Sequence, residues 1–355
     1  MLSSVHPLST GYESALDSAG PDLEPVAMNE SEPLKLPAGP FRGRDAAELD
    51  LTKRDLRSLV ERGTLRRVCR GVYADADLPD SIELRANAAA LVTPADHVVC
   101  DRTAAWIHGV DMMTAGETEA LPPIDTCAPS GRTPPRRSAV DGHERALVPS
   151  DVITIGGVRV TTPLRTALDL GARLHRRDAL AAMDSLCRLH GMTAQMLTRE
   201  VKRFRRRRGV VQLRELVALV DPRAESQRES WTRLEIHDAG LPLPTLQHWV
   251  VVDGRRRYRL DLAYPGLRIV IEYDGFDDHR RTHRQVERDL ARRRWLHDQG
   301  WIVIVVRVGD FTGEALDRWL NELRFALKPS YINVRRLERG DRERLAARTR
   351  GDDTA

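Results

Sequence analysis

The sequence is poor in cysteine, and this shortage limits what the chain can be. Only four cysteines occur in 355 residues. They form no Cys-x-x-Cys pair and no regular spacing, and they are Cys69, Cys100, Cys127 and Cys187. This pattern argues against a disulfide framework and against the common cysteine-based metal sites. We therefore expect buried, reduced thiols, which suit a cytoplasmic protein.

Long apolar runs and a strong excess of one charge are also missing. No segment approaches the roughly 18 apolar residues that a membrane span needs, and the N-terminus lacks the apolar core of a signal peptide. We therefore expect a cytoplasmic protein with no membrane partner. The chain has 56 basic and 52 acidic side chains, a net charge of +4. Clusters of charge therefore matter more than the total.

Residues 258–275 carry the clearest chemical signal, because they read as two alternating strands joined by a Pro-Gly turn. Period-two alternation places Asp261 on one face of the first strand, and Glu272 and Asp274 on one face of the second. An antiparallel hairpin would crowd these three carboxylates together. Since like charges repel, the patch must take up a proton or a cation, and oxygen ligands favour Mg²⁺ or Mn²⁺. The alternative is that the acids are solvated strand ends beside arginines.

A helix and a strand are predicted after this hairpin. The helix has an apolar arc of about 120° at 100° per residue and stops at Gly300; the arc holds Val286, Leu290 and Leu296. Asp289 and Arg293 lie inside the arc, four residues apart, in the order that favours an ion pair. The continuous apolar run at residues 301–308 predicts a central strand that is covered on both faces.

Several motifs in this region resemble a known family. They are Glu229-Ser-Trp-Thr-Arg, Ala239-Gly-Leu-Pro-Leu-Pro, Leu260-Asp-Leu-Ala-Tyr-Pro, Ile271-Glu-Tyr-Asp-Gly, His279, Asp289-x-x-Arg292 and Gly300-Trp-x-Val. Together they resemble the domain related to very-short-patch-repair endonucleases, which belongs to the PD-(D/E)XK nuclease superfamily. The resemblance covers roughly residues 225–327 and implies a mixed sheet flanked by helices.

The resemblance also implies a catalytic site. Asp261 and Glu272 would be the ligands of Mg²⁺ or Mn²⁺, and Glu229 on the preceding helix would be a supporting acid. The superfamily has a lysine where this chain has Asp274, and an aspartate cannot supply that positive charge. The very-short-patch relatives lack the lysine as well, so the change does not by itself mean inactivity.

His279 is the residue whose position best suits it to replace the missing lysine, and His283 and Arg292 are alternatives. A loop histidine near arginines is just as often simply solvated. The zinc site of the repair enzymes needs Cys and His ligands. Because this region contains no cysteine, we expect no structural zinc there.

A second resemblance lies in the N-terminal part. Thr52 and Asp55 form a predicted capping box at the start of a short helix that ends at Gly63, and a basic, alternating stretch then turns at Gly71. This order of helix and hairpin resembles the N-terminal winged-helix domain of AbiEi-type antitoxins and linked regulators, over about residues 46–74. The resemblance implies a DNA-binding regulator and, for that function, a cognate toxin.

Basic side chains in three places are predicted to contact DNA phosphates. They are Arg57, Arg62, Arg66, Arg67 and Arg70 around the helix and hairpin, Lys202, Arg205 and Arg206 in the basic run at 202–208, and Arg292 in the C-terminal part. The alternative for each of them is solvated surface charge. His108, at a helix end before Gly109, is predicted to have a structural role.

These patterns divide the chain into a disordered N-terminus at 1–44, an AbiEi-like winged-helix and helical domain at 45–220, a nuclease-like domain at 221–328 and a charged tail at 329–355. The predicted fold class is α/β, or α+β overall: a small winged-helix-like unit with a helical body, then a restriction-endonuclease-like mixed sheet flanked by helices. The sequence leaves open whether the protein is a homodimer.

Two functions from different classes follow from the sequence. One is a metal-dependent DNA endonuclease that hydrolyses phosphodiester bonds and carries a DNA-binding front end. The other is a non-catalytic DNA-binding transcriptional regulator or antitoxin-type protein, whose nuclease fold serves only for binding. Asp274 in the lysine position favours the second. The joint presence of Asp261, Glu229 and Glu272 favours the first.

Overall fold

The computed structural model describes residues 36–113, 117, 121–129, 136–137, 139–275 and 283–328. The described residues from Pro37 onward belong to one compact unit. The predicted charged tail at 329–355 and the predicted site residue His279 lie outside the described residues. Within the described part, no helix combines the length and the apolar character that crossing a membrane requires.

The described chain begins with a small winged unit, defined as residues 41–75. It contains β1 (Phe41–Arg42), a 3₁₀ helix (Gly43–Leu49), α1 (Lys53–Glu61), β2 (Leu65–Cys69) and β3 (Val72–Asp75). The strands form an antiparallel sheet in the order β1–β3–β2. The Thr52–Asp55 capping box is present, and Gly71 makes the hairpin turn with φ of +81°. The predicted N-terminal disorder up to residue 44 is wrong for Phe41, which is buried in β1.

A six-stranded mixed sheet follows the winged unit. The elements are α2 (Ile82–Val92), β4 (Val98–Val99), α3 (Asp101–Ile107), β5 (Ile124–Pro129), β6 (Arg136–Arg137), β7 (Val140–Arg145), β8 (Val152–Ile155) and β9 (Val158–Thr161). The strand order of the sheet is β6–β7–β5–β4–β9–β8, with parallel pairing of β4 with β9 and of β5 with β7. Small apolar side chains of α2 and α3 pack on this sheet.

A helical body comes next and carries the largest apolar core. It consists of α4 (Pro163–Arg173), α5 (Arg176–Leu189), α6 (Ala194–Val201) and α7 (Val210–Leu219). Pro163 begins α4 at a position where a missing N–H costs nothing. Leu234, which lies in the predicted nuclease-like segment, belongs to the same core. The helical body and the C-terminal part therefore share buried apolar contacts.

The C-terminal part is a four-stranded sheet between helices. Its elements are α8 (Gln227–Asp238), β10 (Thr245–Val252), β11 (Arg255–Tyr264), β12 (Ile269–Asp274), α9 (His283–Asp298), β13 (Ile302–Arg307) and α10 (Gly313–Leu327). The strand order is β10–β11–β12–β13, antiparallel except for the last pair. The predicted hairpin is confirmed, with Leu262 opposite Ile271. The predicted fold class, an α+β protein with a mixed sheet flanked by helices, is also confirmed.

Two predictions about the C-terminal part are wrong, one for strand β13 and one for helix α9. The strand predicted to be central, β13, lies at the edge of the described sheet. Its apolar run reflects covered faces, because Ile304 and Val306 pack in one core and Val303 packs against another. The predicted apolar face of α9 is only partly buried: Leu296 is buried, whereas Val286 and Leu290 are 39% and 47% exposed. Contacts with the sheet come from the C-terminal half of α9.

Candidate nucleic-acid interface and carboxylate cavity

The outer face of α1 is basic and solvent-exposed. Its buried side chains are Leu56 and Leu59, which pack inward, whereas Lys53, Arg54 and Arg57 are exposed. The capping box holds the first turn of α1 in a helical conformation, so these positive charges have a defined position. The sequence reasoning found Arg57 but missed Lys53 and Arg54. The signal was their place directly after the N-cap Thr52, with Arg54 opposite the apolar stripe and Lys53 at its edge.

The hairpin that follows α1 presents Arg67 and Arg70, both exposed as predicted. Arg66 differs from them. Its Nη2 donates a hydrogen bond of 2.8 Å to the Leu78 carbonyl, and its Nη1 lies 3.9 Å from an Asp80 carboxylate oxygen. The Arg66 guanidinium thus already has partners inside the protein, and its phosphate contact stays a prediction.

The basic run at 202–208 is a 3₁₀ turn followed by loop, and it is anchored at two points. Phe204 is buried, and the Arg207 guanidinium lies 5.3 Å from its ring centroid. Arg203 forms ion pairs with Asp151 at 2.6 Å and with Glu200 at 2.8 Å. The predicted contacts Lys202, Arg205 and Arg206 are exposed at the surface, so they remain candidates for binding phosphate.

A buried network of ion pairs supports this run from below. Arg165 is 2% exposed and bonds Asp151 at 2.7 Å and Asp169 at 2.9 Å. Arg145 joins the same network through Asp169 and Asp101. Removing one member would leave a buried charge uncompensated, so the network is structural. His108 is structural as well, since its Nε2 lies 2.7 Å from the Thr161 carbonyl oxygen in a buried position, and burial lowers its pKa.

The C-terminal hairpin holds a small cavity of about 110 Å³. Leu262 lies opposite Ile271 in the antiparallel register, and Asp261 comes one residue before Leu262 while Glu272 comes one residue after Ile271. The two acids therefore meet across β11 and β12. Asp274 lines the same cavity. The predicted approach of the three carboxylates is therefore confirmed.

Two arginines of α9 fill the other side of this cavity. Arg293 donates from Nε to Glu272 and from Nη2 to Asp274, each at 3.1 Å. Arg292 places Nη2 3.0 Å from Glu272 Oε1 and also donates to the Arg259 carbonyl at 3.1 Å. Glu272 is thus neutralised by two guanidinium groups. Because the charge of Arg292 faces a carboxylate here, its DNA contact stays a prediction.

Glu229 is buried on α8, apart from the residues that line the cavity. One of its carboxylate oxygens accepts hydrogen bonds from the Glu225 backbone N–H at 3.0 Å and from Gln247 Nε2 at 2.9 Å. Burial raises the pKa of Glu229, and the nearby Asp261 carboxylate raises it further. Burial also raises the pKa of Asp261, although Arg292 counteracts this shift. Both acids therefore have a weakened preference for the charged form.

The metal ligands predicted from the sequence do not form a compact group with a third ligand. Within the described residues, one group of three has ligand atoms within 4.8 Å of one another, and it is Asp125, Asp141 and His143 in the six-stranded sheet. Asp261 and Glu272 supply oxygen donors that suit Mg²⁺ or Mn²⁺. Glu272 is already paired with Arg292 and Arg293, however, so a metal there stays a prediction.

Comparison with known families defines the class of protein. The family model "Transcriptional regulator, AbiEi antitoxin" matches residues 38–74, and "AbiEi antitoxin C-terminal domain" matches residues 97–219. These ranges cover the winged unit up to Ala74, all six strands of the second sheet and the helical body. The resemblance to AbiEi antitoxins that the sequence suggested is therefore confirmed, whereas the nuclease resemblance of the C-terminal part stays a prediction.

Two relatives are known from Mycobacterium tuberculosis. "Uncharacterized protein MT2308" (strain CDC 1551 / Oshkosh) and "Uncharacterized protein Rv2248" (strain ATCC 25618 / H37Rv) are each 33% identical to the chain over 264 residues, which is 74% of this chain and 93% of theirs. The chain belongs to the family of these two proteins and carries AbiEi antitoxin domains. The crystal structure of the RV2827C protein from the same organism covers 52% of this chain and 77% of its own at 14% identity, with a TM-score of 0.23. A similarity this low carries no argument.

Proposed function

We propose that the protein is a DNA-binding transcriptional regulator of the AbiEi antitoxin type. The observation that carries this proposal is the exposed basic face of α1, formed by Lys53, Arg54 and Arg57. It lies within the residues that match the transcriptional-regulator family. The hairpin arginines Arg67 and Arg70 extend the basic surface.

The geometry suits the binding of a duplex. A capped helix of nine residues can enter the major groove, where side chains of its first turn contact base edges and phosphates. The hairpin then lies beside the groove, and Arg67 and Arg70 contact the backbone. Each phosphate contact releases counterions, so binding should weaken with salt at a slope of roughly 0.9 per contact.

The test is fluorescence anisotropy with a labelled duplex from the region upstream of the protein's own coding sequence, titrated at several salt concentrations. The double substitution Lys53→Ala and Arg54→Ala should weaken binding at least tenfold and reduce the salt slope by about 2. Arg318→Ala, an exposed arginine on α10, is the matched control and should change neither value. Unchanged binding by the double variant would refute the proposed interface.

The antitoxin family also supports a protein partner, and we propose a cognate toxin encoded beside this gene. Co-expression followed by size-exclusion chromatography tests the proposal. The expected result is a complex of the two proteins that survives the Lys53→Ala and Arg54→Ala substitutions, because the toxin and the DNA would use different surfaces. Independent elution of the two proteins would contradict it.

A second candidate function is a metal-dependent endonuclease, and the shared cavity of Asp261, Glu272 and Asp274 favours it. A divalent cation held by Asp261 and Glu272 would supply charge stabilisation for phosphodiester hydrolysis. Arg293 bridges Glu272 and Asp274, so the cation can enter only if Arg293 releases both carboxylates. Regulator function alone needs no such release, and for this reason we place the nuclease second.

Cleavage assays separate the two candidates. Plasmid and mismatched duplex are incubated with the protein in Mg²⁺, Mn²⁺ or EDTA, beside Asp261→Ala and Glu272→Ala. Cutting that requires metal and disappears in both variants would establish the enzyme and its ligands. Cutting that survives both substitutions would indicate contamination. The absence of cutting, together with salt-sensitive duplex binding, would leave the regulator as the function.

A further inference from the structure

The β10–β11 hairpin carries a positively charged surface that neither family match covers. We define the hairpin surface as Trp249, Val251, Arg255, Arg256 and Arg257. All five side chains are exposed, with Trp249 38% and Val251 54% accessible to solvent. Val251 lies opposite Arg256 in the register, and Arg256 lies over the Trp249 ring, so apolar and basic groups share one exposed surface. Such a mixed surface is suited to contact with a partner.

The turn and the register of the hairpin give this surface a defined shape. Val252 pairs with Arg255 across a two-residue turn, in which Asp253 and Gly254 have φ of 49° and 73°. Positive φ at both positions is the turn type that matches the twist of the strands. The register shifts between Val250 and Val251, a bulge that gives the tip of the hairpin its own twist.

The positive charge of the hairpin surface is largely uncompensated. Of the four arginines on β11, Arg259 forms an ion pair with Glu225 at 2.5 Å, and it is the one that does so within the described part of the chain. Arg256 instead lies over the Trp249 ring, 5.3 Å from its centroid. Arg257 lies 4.6 Å from the Trp295 centroid on α9. Guanidinium groups that rest on rings keep their hydrogen-bond donors free for a phosphate.

The combination of arginine and exposed tryptophan indicates the kind of partner. A duplex hides the faces of its bases and offers base edges and phosphates, so an indole ring cannot stack on a base there. A single strand exposes both phosphates and base faces, and aromatic rings beside arginines are the usual platform for it. We propose that the hairpin surface binds a single strand of nucleic acid, with a base stacked at Trp249 and phosphates held by the arginines.

The hairpin surface lies close to the cavity lined by Asp261, Glu272 and Asp274. Trp249 pairs with Arg259, and Asp261 lies two residues further along the same face of β11. At about 3.4 Å per residue, this separation is about 7 Å along the strand. A bound single strand would therefore pass close to the cavity of Asp261 and Glu272. The hairpin surface shares no residue with the winged unit, so single-strand binding there does not depend on the proposed duplex interface.

The test uses the full chain and a fluorescein-labelled oligothymidylate of 20 nucleotides, followed by anisotropy. Trp249→Ala should weaken binding about tenfold, the effect of losing one stacked base, whereas Trp249→Phe should retain most of the affinity. Arg256→Ala should also weaken binding and reduce the salt slope by about 0.7. Phe325→Ala, which removes a 74% exposed ring on α10, is the matched control and should have no effect.

Three outcomes would overturn the inference. The first is oligothymidylate binding that is unchanged in Trp249→Ala. The second is an equal loss in the Lys53→Ala and Arg54→Ala variant, which would assign all nucleic-acid binding to the winged unit. The third is a change of sedimentation coefficient in Trp249→Ala without a loss of affinity, which would make the surface a contact between copies of the chain. Failure of the winged interface with retained oligothymidylate binding would refute the proposed function alone.

Discussion

Asp184 on α5 and Arg233 on α8 form a buried ion pair, with a carboxylate oxygen 2.5 Å from a guanidinium nitrogen. The pair links the helical body to the C-terminal part. Asp184 also accepts hydrogen bonds from the Asp221 backbone at 2.8 Å and from the Ser230 hydroxyl at 2.7 Å. The two parts are thus joined by buried polar contacts as well as by apolar ones, and this has consequences for stability.

Arg233→Met should lower the free energy of unfolding by about 3 kcal/mol at pH 7.5, because Asp184 then stays buried without its cation. Burial raises the pKa of Asp184 to about 6 even beside Arg233. When the pKa of a carboxyl group is higher in the folded state than in the unfolded state, the native state loses stability as pH rises from the unfolded-state pKa to the folded-state pKa. Without Arg233 the folded pKa is higher still, so the variant should lose more stability at pH 7.5 than at pH 5.

Urea unfolding at the two pH values measures this effect. The double variant Asp184→Asn and Arg233→Met is the control, and it should recover part of the loss because a neutral amide needs no counterion. An equal loss for the single and the double variant would show that Arg233 acts through packing rather than charge.

Arg66→Ala and Arg67→Ala should separate structure from DNA binding. Arg66 supports the Leu78 carbonyl and Asp80, so its loss should lower stability by about 1 kcal/mol and leave the salt slope of duplex binding unchanged. Arg67 is exposed, so its loss should reduce the slope by about 1 with little effect on stability. Thermal unfolding and anisotropy give the two values. A reversed pattern would restore Arg66 as the phosphate contact.

Arg293→Ala should convert the carboxylate cavity into a cation site. The substitution removes the bridge between Glu272 and Asp274, and the remaining acids repel one another until a cation or a proton enters. Added Mg²⁺ at ten times its dissociation constant should stabilise the variant by about 1.4 kcal/mol. The wild type should gain less, because Arg293 competes with the cation.

The measurement is the unfolding temperature with and without Mg²⁺, with Arg294→Ala as the control from the exposed face of α9. If Mg²⁺ leaves the Arg293→Ala variant unaffected, the cavity is not a cation site. The endonuclease candidate would then lose its structural basis.

Gly209→Ala should destabilise the protein far more than Gly191→Ala. Both glycines have positive φ, of 78° and 63°. At Gly209 an added Cβ would lie 1.8 Å from the Ala172 carbonyl oxygen, whereas at Gly191 it would meet open space. Gly191→Ala should cost about 1 kcal/mol from backbone strain alone. For Gly209→Ala, α7 must also move away from α4, so unfolding should occur at a clearly lower denaturant concentration. Equal midpoints would contradict this packing.

Much of the local structure could be predicted because its causes are local. Thr52 and Asp55 are three residues apart, so the capping box can be read from spacing. Alternation along β11 and β12, together with the short turn between them, sets the register that brings Asp261 to Glu272. Neither inference needs a distant part of the chain.

The use of each arginine could not be predicted in this way. Arg66, Arg203 and Arg292 look like free cations in the sequence, yet each is paired inside the protein. Their partners come from other segments, and a charged side chain near a carboxylate in a half-buried place will pair with it. Arg67 and Lys202 also stand among basic residues in the sequence, and yet their side chains remain exposed.

The sequence by itself determined the helix starts, the hairpins and the approach of Asp261 to Glu272, because caps, turns and alternation act over a few residues. Tertiary structure decided that β13 lies at an edge, that Leu234 belongs to the core of the helical body, and that Arg293 bridges Glu272 and Asp274. Those features depend on which surfaces meet when the chain folds back on itself. Apolar periodicity records that a face is covered, but not which element covers it.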